Sequence, residues 1–284
     1  MITTATDKRK AFRRLLEADR CIRPATAFDP LSALAAQELG YQAGILAGSI
    51  ASLCVLGAPD IALLTLTELA EQARRICRVA DLPLLVDGDH GYGNALNVRR
   101  GVVELEAAGI AALTIEDTLL PAAFGAGEGA QLISAREAAG KLRAAVDARI
   151  DPEFVVIGRT HAALAAGRAD LLERQAALES AGIDALFITG LKDPADLDVL
   201  AAKASVPLIL GSAVPGLDLA ELAERKVRMC LQGHQAFYQA IHALYANLAL
   251  LRHGEPGAEQ NPQELVKRLS GSELHARWGR DFLR

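Results

Sequence analysis

Leu105-Glu106-Ala107-Ala108-Gly109-Ile110-Ala111-Ala112-Leu113-Thr114-Ile115-Glu116-Asp117 changes its period at one residue. Up to Ala108 it reads as the end of an amphipathic helix. From Ala112 it is an apolar run of strand length that stops on two acids. Gly109 suits the left-handed position that ends a helix. The same grammar takes Ala35-Ala36-Gln37-Glu38-Leu39-Gly40 into Ala43–Leu46, and Leu178-Glu179-Ser180-Ala181-Gly182 into Ala185–Ile188. The three glycines lie 69 and 73 residues apart, or two strand–helix units of roughly 36 residues each. Eight such units fill a chain of 284 residues.

A second signal is a proline opening a strand, which a strand tolerates only at its first residue. Leu82-Pro83 precedes Leu84–Val86, and Val206-Pro207 precedes Leu208–Leu210. Strands are predicted at 25–28, 43–47, 83–87, 112–116, 154–159, 185–188, 207–211 and 229–232. Helices are predicted at 31–39, 65–80, 94–108, 134–148, 168–181, 193–203, 217–225 and 235–251. Short, continuously apolar strands between helices imply a parallel sheet covered on both faces. The fold class is therefore α/β, a (β/α)8 TIM-type barrel. An open doubly wound sheet is the fallback, but no strand leads through G-x-G-x-x-G into a helix. Residues 1–253 read as the barrel domain. Residues 254–284 read as an extra C-terminal helical tail, because more chain follows the last strand than one closing helix needs. Its Trp278, the only tryptophan, either docks on a neighbouring subunit or packs on its own barrel.

Apolar residues make up 51% of the chain and aromatics only 4%, so the bulk to be buried is aliphatic. The stretches Leu39–Pro59 and Met229–Leu251 carry no charge and are long enough to span a bilayer. The first holds Gln42, Ser49 and Ser52, and the second Gln232, His234, Gln235, Gln239, His242 and Asn247. Such groups lack partners in lipid, so both stretches read as buried structure and no membrane partner is expected. Lysine and arginine number 30 against 35 acids, which leaves no basic excess to neutralise nucleic-acid phosphates. Lys8, Arg9, Lys10, Arg13 and Arg14 precede no apolar segment of the secretory type, so the expected compartment is the cytoplasm. Cys21, Cys54, Cys77 and Cys230 are too far apart for a zinc motif and read as reduced thiols.

In such a barrel the chemistry sits at the C-terminal ends of the strands. Here those ends are acidic: Asp87-Gly88-Asp89-His90-Gly91-Tyr92-Gly93-Asn94 after strand 3, Glu116-Asp117 after strand 4, and Asp60 in the loop after strand 2. Carboxylates converging on one mouth repel each other unless a cation is present, and hard oxygen donors suit Mg²⁺ or Mn²⁺. Asp87 and Asp89, two residues apart, point to one side of an extended strand. Arg159 closes strand 5, and its fork matches a substrate carboxylate; an ion pair within the acidic cluster is its other reading. Gly48-Ser49 ends strand 2, where glycine opens the backbone amides to an anion and serine adds a donor. Serine lacks an evident base, so anion binding is favoured over acyl transfer. His234 follows strand 8 as a proton donor or orienter.

Together these residues resemble the isocitrate lyase/phosphoenolpyruvate mutase superfamily. The strings at 89–98 (DHGYGNALNV) and 112–125 (ALTIEDTLLPAAFG) are most similar to its oxaloacetate decarboxylase branch. The likeness runs from about Lys8 to Phe282. It implies Mg²⁺ held directly by Asp87, with Asp60, Asp89 and Glu116 acting through water. It implies substrate contacts from Gly48, Ser49, Arg159 and His234, and catalytic roles for Asp87, Arg159 and His234. The implied reaction is decarboxylation of oxaloacetate to pyruvate and CO₂ through a metal-stabilised enolate, on a small 2-keto dicarboxylate. The alternative is a C–C lyase or hydrolase acting on another 2-hydroxy or 2-keto dicarboxylate, of the methylisocitrate lyase or phosphonopyruvate hydrolase type. The family also implies a homotetramer, a dimer of dimers, with the eighth helix exchanged between subunits. Loop 118–133 departs from the lyases, which place a catalytic cysteine there, and it has no Lys or Arg for a phosphoryl group. Gly125, Gly127 and Gly129 suggest a mobile lid. His161 stands where the branch carries asparagine, and Gly211-Ser212-Ala213-Val214 where it carries a tyrosine.

Overall fold

A computed structural model describes residues 3–126, 129–255, 257 and 261–284. Its strands are β1 (Ala25–Thr26), β2 (Gly44–Leu46), β3 (Leu84–Asp87), β4 (Ala112–Glu116), β5 (Val155–His161), β6 (Ala185–Thr189), β7 (Leu208–Leu210) and β8 (Val227–Cys230). Each pairs in parallel with the next in sequence. Ile22, ahead of β1, completes the ring: its N–H donates to Arg228 O (3.0 Å), and its carbonyl accepts from Cys230 N–H (2.9 Å). The barrel expected from the sequence is the fold.

The helices are α1 (Ala5–Glu17), α2 (Pro30–Glu38), α3 (Gly48–Leu56), α4 (Leu66–Cys77), α5 (Ala95–Ala107), α6 (Ala135–Ala148), α7 (Arg168–Glu179), α8 (Pro194–Lys203), α9 (Leu219–Glu224), α10 (Gln235–His253), α11 (Pro262–Leu269) and α12 (Ser272–Phe282). The marker glycines sit in the left-handed region, Gly40 at φ +81°, Gly109 at +92° and Gly182 at +83°. At the other ends, Asp29, Thr65, Asn94 and Asp218 each close a capping box.

Period-2 alternation divides the strands into two cores. Ile45, Leu85, Ala112, Val155, Ile157, Phe187, Ile209 and Met229 fill the barrel. Leu46, Leu84, Val86, Leu113, Ile115, Val156, Leu186 and Leu210 face the helices. The aliphatic excess is this doubly covered sheet and its alanine-rich helices. Among the described residues no helix is long and apolar enough to cross a membrane. Cys21, Cys77 and Cys230 are buried free thiols, and Cys54 is an exposed one.

Two helices went unrecognised in the sequence, and β8 begins two residues earlier than expected. The helix α3 lacks a polar stripe, so it shows no 3.6-residue period. The helix α1 hides its character by burying charge. Lys8 Nζ donates to Cys77 O and Ala80 O, both at 2.6 Å, and Arg9 Nη2 donates to Glu106 O at 2.7 Å. These carbonyls lie at or near the C-terminal ends of α4 and α5, where cations complement the helix dipole. Anchored so, α1 pushes Phe12, Leu15 and Leu16 into the bottom of the barrel.

Asp151 completes this floor, accepting from Arg9 Nη1 and Thr6 Oγ1, both at 2.7 Å. Burial alone would raise its pKa, but hydrogen bonds from Arg9, Thr6 and Glu153 N–H bring it to about 2. A depressed carboxylate pKa contributes stability above the unfolded-state value near 3.8, and that stability is lost as pH falls through 2. Asp151→Asn is therefore expected to cost about 2 kcal/mol at pH 7. Urea midpoints measured at pH 7 and pH 2.5 should show the difference from wild type shrinking sharply in acid.

Candidate active site

The alternation that fills the barrel also sets its mouth. On β3, Leu85 points inward and Val86 outward, so Asp87 returns to the barrel axis. The same count brings Thr114 and Glu116 inward on β4 and Arg159 inward on β5. Strand register then pairs Asp87 with Thr114, Glu116 with Arg159, and Arg159 with Phe187. Acid and arginine thus become neighbours because of where two strands start.

Arg159 Nη1 donates to Asp87 Oδ2 at 2.5 Å, and its Nε lies 3.0 Å from Glu116 Oε2. Its guanidinium carbon sits 5.5 Å from the Phe187 ring centre. Burial disfavours the arginine charge, but Asp87 and Glu116 outweigh it and keep the group protonated. Asp87 Oδ1 accepts from Thr114 Oγ1 (3.0 Å) and Asp89 N–H (3.3 Å). Burial pushes its pKa up, yet Arg159 and these donors hold it below the usual carboxylate range. Glu116 goes the other way: burial raises it more than Arg159 lowers it. The ion-pair reading of Arg159 is thus the arrangement in this structure.

Asp89 leaves the extended backbone at φ +45°, a left-handed conformation that is costly for a residue other than glycine. The simple alternation expected for Asp87 and Asp89 ends there. The carboxylate instead turns toward the end of β2, where a Cβ on Gly48 would fall 2.5 Å from Asp89 Oδ1. Only glycine admits this contact. Burial, followed by repulsion from Asp87, Asp60 and Glu116, raises the Asp89 pKa well above its ordinary value. Asp60, between α3 and α4, keeps access to water at the rim; enclosure and then Asp87 raise its pKa also. Gly48→Ala should displace Asp89, lowering kcat/KM by roughly 10- to 100-fold, the usual cost of an ångström of misplacement. Steady-state kinetics with a divalent-cation titration would measure it.

Ser49 does not end β2 but stands second in α3 and is half-buried. The amides of Gly48 and Ser49 are first-turn amides without intrahelical acceptors, and no side chain caps this end. His234 sits just before α10, after Gly233 at φ +75°. Its Nδ1 is 3.2 Å from Thr26 Oγ1, whose other acceptor, Gly233 O, is a marginal 3.5 Å away. This contact orients the ring; with the hydroxyl donating to Nδ1, the ring proton rests on Nε2. Burial lowers the His234 pKa, partly offset by Asp87, so the imidazole is neutral at pH 7.

The residues present fit a hard divalent cation. All the acidic donors are oxygens, one guanidinium faces four carboxylates, and three of those four titrate high, first because they are buried and then because neighbouring carboxylates repel them. Among the described residues no three His, Cys, Asp or Glu side chains converge as direct ligands, a pattern compatible with one direct carboxylate.

Thr114 and Thr26 were missed in the sequence. Thr114 was findable as the polar residue inside the apolar run Ala112–Ile115, whereas Thr26 depends on the pairing of distant chain ends. His161 ends β5; its Nδ1 is buried without a partner, and burial followed by the Arg159 charge lowers its pKa. Where a tyrosine was expected, a Cβ on Gly211 would meet Thr189 at 2.8 Å. In loop 118–133, Thr118 bridges Leu132, and Phe124 is 76% exposed. Gly125 (φ +76°) and Gly129 (φ +95°) are left-handed, while Gly127 lies outside the described residues.

A closed parallel barrel with a buried carboxylate–arginine mouth at its strand ends defines an α/β-barrel enzyme class. Residues 12–251 match the family model described as phosphoenolpyruvate phosphomutase, and the chain belongs to that family. A Rhodopseudomonas palustris (strain BisA53) protein named oxaloacetate decarboxylase is 53% identical over 249 residues, 87% of this chain and 86% of the relative. Among solved structures, a 2,3-dimethylmalate lyase of the PEP mutase/isocitrate lyase superfamily is 29% identical. It superposes with a TM-score of 0.78 over 99% of this chain and 96% of its own. A phosphonopyruvate hydrolase in complex with oxalate and Mg²⁺ is 30% identical, with a TM-score of 0.75 over 99% and 100%.

Proposed function

We propose that this mouth decarboxylates oxaloacetate to pyruvate and carbon dioxide with Mg²⁺, Mn²⁺ being able to substitute. The observation that carries the proposal is the register-built set Asp87–Arg159–Glu116 beside the Gly48–Ser49 amides, in a chain half identical to a named oxaloacetate decarboxylase. A solved relative complexed with both oxalate and Mg²⁺ supports the cation and the small dicarboxylate.

Asp87 would hold the cation directly, with Asp60, Asp89 and Glu116 reaching it through water. Bound there, a divalent cation supplies Lewis-acid stabilisation, worth several kcal/mol, to the negative charge left when CO₂ departs. The work of the protein is placement. Gly48 N–H, Ser49 and Arg159 orient the substrate carboxylates. Thr114 and Asp89 N–H fix the Asp87 carboxylate in one orientation. His234, oriented by Thr26, presents Nε2–H as a hydrogen-bond donor to the departing carboxylate, and the enolate carbon takes its proton from solvent.

The second reading, cleavage or hydrolysis of another 2-hydroxy or 2-keto dicarboxylate, draws on the hydrolase likeness. Loop 118–133 opposes it, having neither a cysteine acid nor a basic residue for a phosphoryl group. A panel of such dicarboxylates, with and without Mg²⁺ and read by product identity, separates the two.

The proposal extends to assembly. Only Phe237 among the 19 residues of α10 is buried, and Leu244, Leu248 and Leu251 are exposed. On α12, Trp278 is 42% exposed and meets His275 edge-on. These faces support a tail, 254–284, that packs between subunits with α10 exchanged, in a homotetramer; the compartment proposed, from the sequence alone, is the cytoplasm. Light scattering gives the mass directly.

A further inference from the structure

We infer that Arg174, on α7 and outside the mouth, is a positioning residue that pins both ends of the β4–α6 connection. The inference rests on the activity proposed above for its kinetic readout, but its structural readout is independent of any substrate.

Arg174 is 9% exposed. Its Nη1 donates to Asp117 Oδ2 (3.1 Å), where the connection leaves β4, and to Ile133 O (2.9 Å), where it returns toward α6. Its Nε donates to Asp170 Oδ2 one turn earlier on α7, at 3.0 Å. Asp117 Oδ2 also accepts from Thr160 Oγ1 of β5 at 2.7 Å. Three backbone contacts complete the neck. Asp117 N–H donates to Arg159 O (3.2 Å), Ile133 N–H to Asp117 O (2.8 Å), and Leu119 N–H to Gln131 O (2.7 Å). One guanidinium therefore ties together β4, the returning loop and α7, and through Asp117 it reaches β5.

The neighbours on the chain give this knot its consequence. Asp117 follows Glu116, and Thr160 follows Arg159, the ion pair of the mouth. A planar fork serves three acceptors at fixed angles, which a lysine ammonium on a flexible stem cannot. Burying such a group without a catalytic contact makes sense if it holds Glu116 and Arg159 in register and fixes where the connection enters and leaves the mouth.

The test uses Arg174→Lys and, because that variant can fail to fold, the near-isosteric Thr160→Val. No Lys or Arg occurs from Gly101 to Ala135, so trypsin cannot cut the connection and reports opening elsewhere. Chymotrypsin can cut after the exposed Phe124. Without substrate or added cation, Arg174→Lys should raise the rate of cleavage after Phe124 about tenfold, and Thr160→Val about threefold, with tryptic rates unchanged. With oxaloacetate, KM should rise more than kcat falls. Wild-type cleavage after Phe124 in a folded Arg174→Lys, or parallel acceleration by both proteases, overturns the inference. If Arg174→Lys does not fold, wild-type cleavage in Thr160→Val does the same. Accelerated cleavage together with an absence of oxaloacetate turnover in wild type would support the clamp while removing the substrate assignment.

Discussion

Asp87→Ala is expected to lower kcat/KM for oxaloacetate by at least about a thousandfold, equivalent to roughly 4 kcal/mol of lost transition-state stabilisation. Asp87 takes hydrogen bonds from Thr114, Asp89 N–H and Arg159, so its removal cuts the contacts that orient the mouth. It also deletes the carboxylate whose pKa stays lowest, the one always charged and ready for a cation. Asp87→Asn keeps the shape and loses the charge, and it should be as inactive as the alanine variant. Mg²⁺ is expected to raise the Tm of the wild type, and both variants should lose that rise. Retention of a tenth of the activity by either variant would contradict the direct-ligand role.

Arg159→Lys is expected to cost about a hundredfold in kcat/KM, carried mainly by KM, because a point charge replaces a fork aligned with a carboxylate. Arg159→Met should do worse in a second respect. Asp87 and Glu116 would then keep their burial and lose their cation, a situation that costs about 3–5 kcal/mol in other proteins. Mg²⁺ should return part of that stability. Comparing urea midpoints of Arg159→Met in Mg²⁺ and in chelator measures the effect. Equal midpoints would mean that no cation enters the cluster.

The barrel was legible because three features repeat: helix-ending glycines, strand-opening prolines, and apolar runs that stop on acids. Each is a local cause with a local effect. The helix α3 was hidden because it is apolar all round and lacks the usual polar face; α1 has such a face in Asp7, Lys10, Arg14 and Glu17, but Lys8 and Arg9, buried against carbonyls, interrupt its apolar stripe. The acids of the mouth were legible as strand ends, and Asp87, Glu116 and Arg159 meet as the barrel count requires. What a linear reading could not supply was the register that sets Glu116 against Arg159. Nor could it supply the left-handed turn at Asp89 that presses its carboxylate against Gly48. The partners Thr26 and Arg174 were out of reach for the same reason, since each lies far along the chain from the residue it positions.

The most direct test is product analysis of oxaloacetate turnover by the purified full chain, in Mg²⁺ and in chelator, corrected for spontaneous decay. Pyruvate and CO₂ are expected in equal amounts, formed well above background only with the cation. Oxalate and acetate as products, or the same rate in chelator, would contradict the proposed decarboxylation.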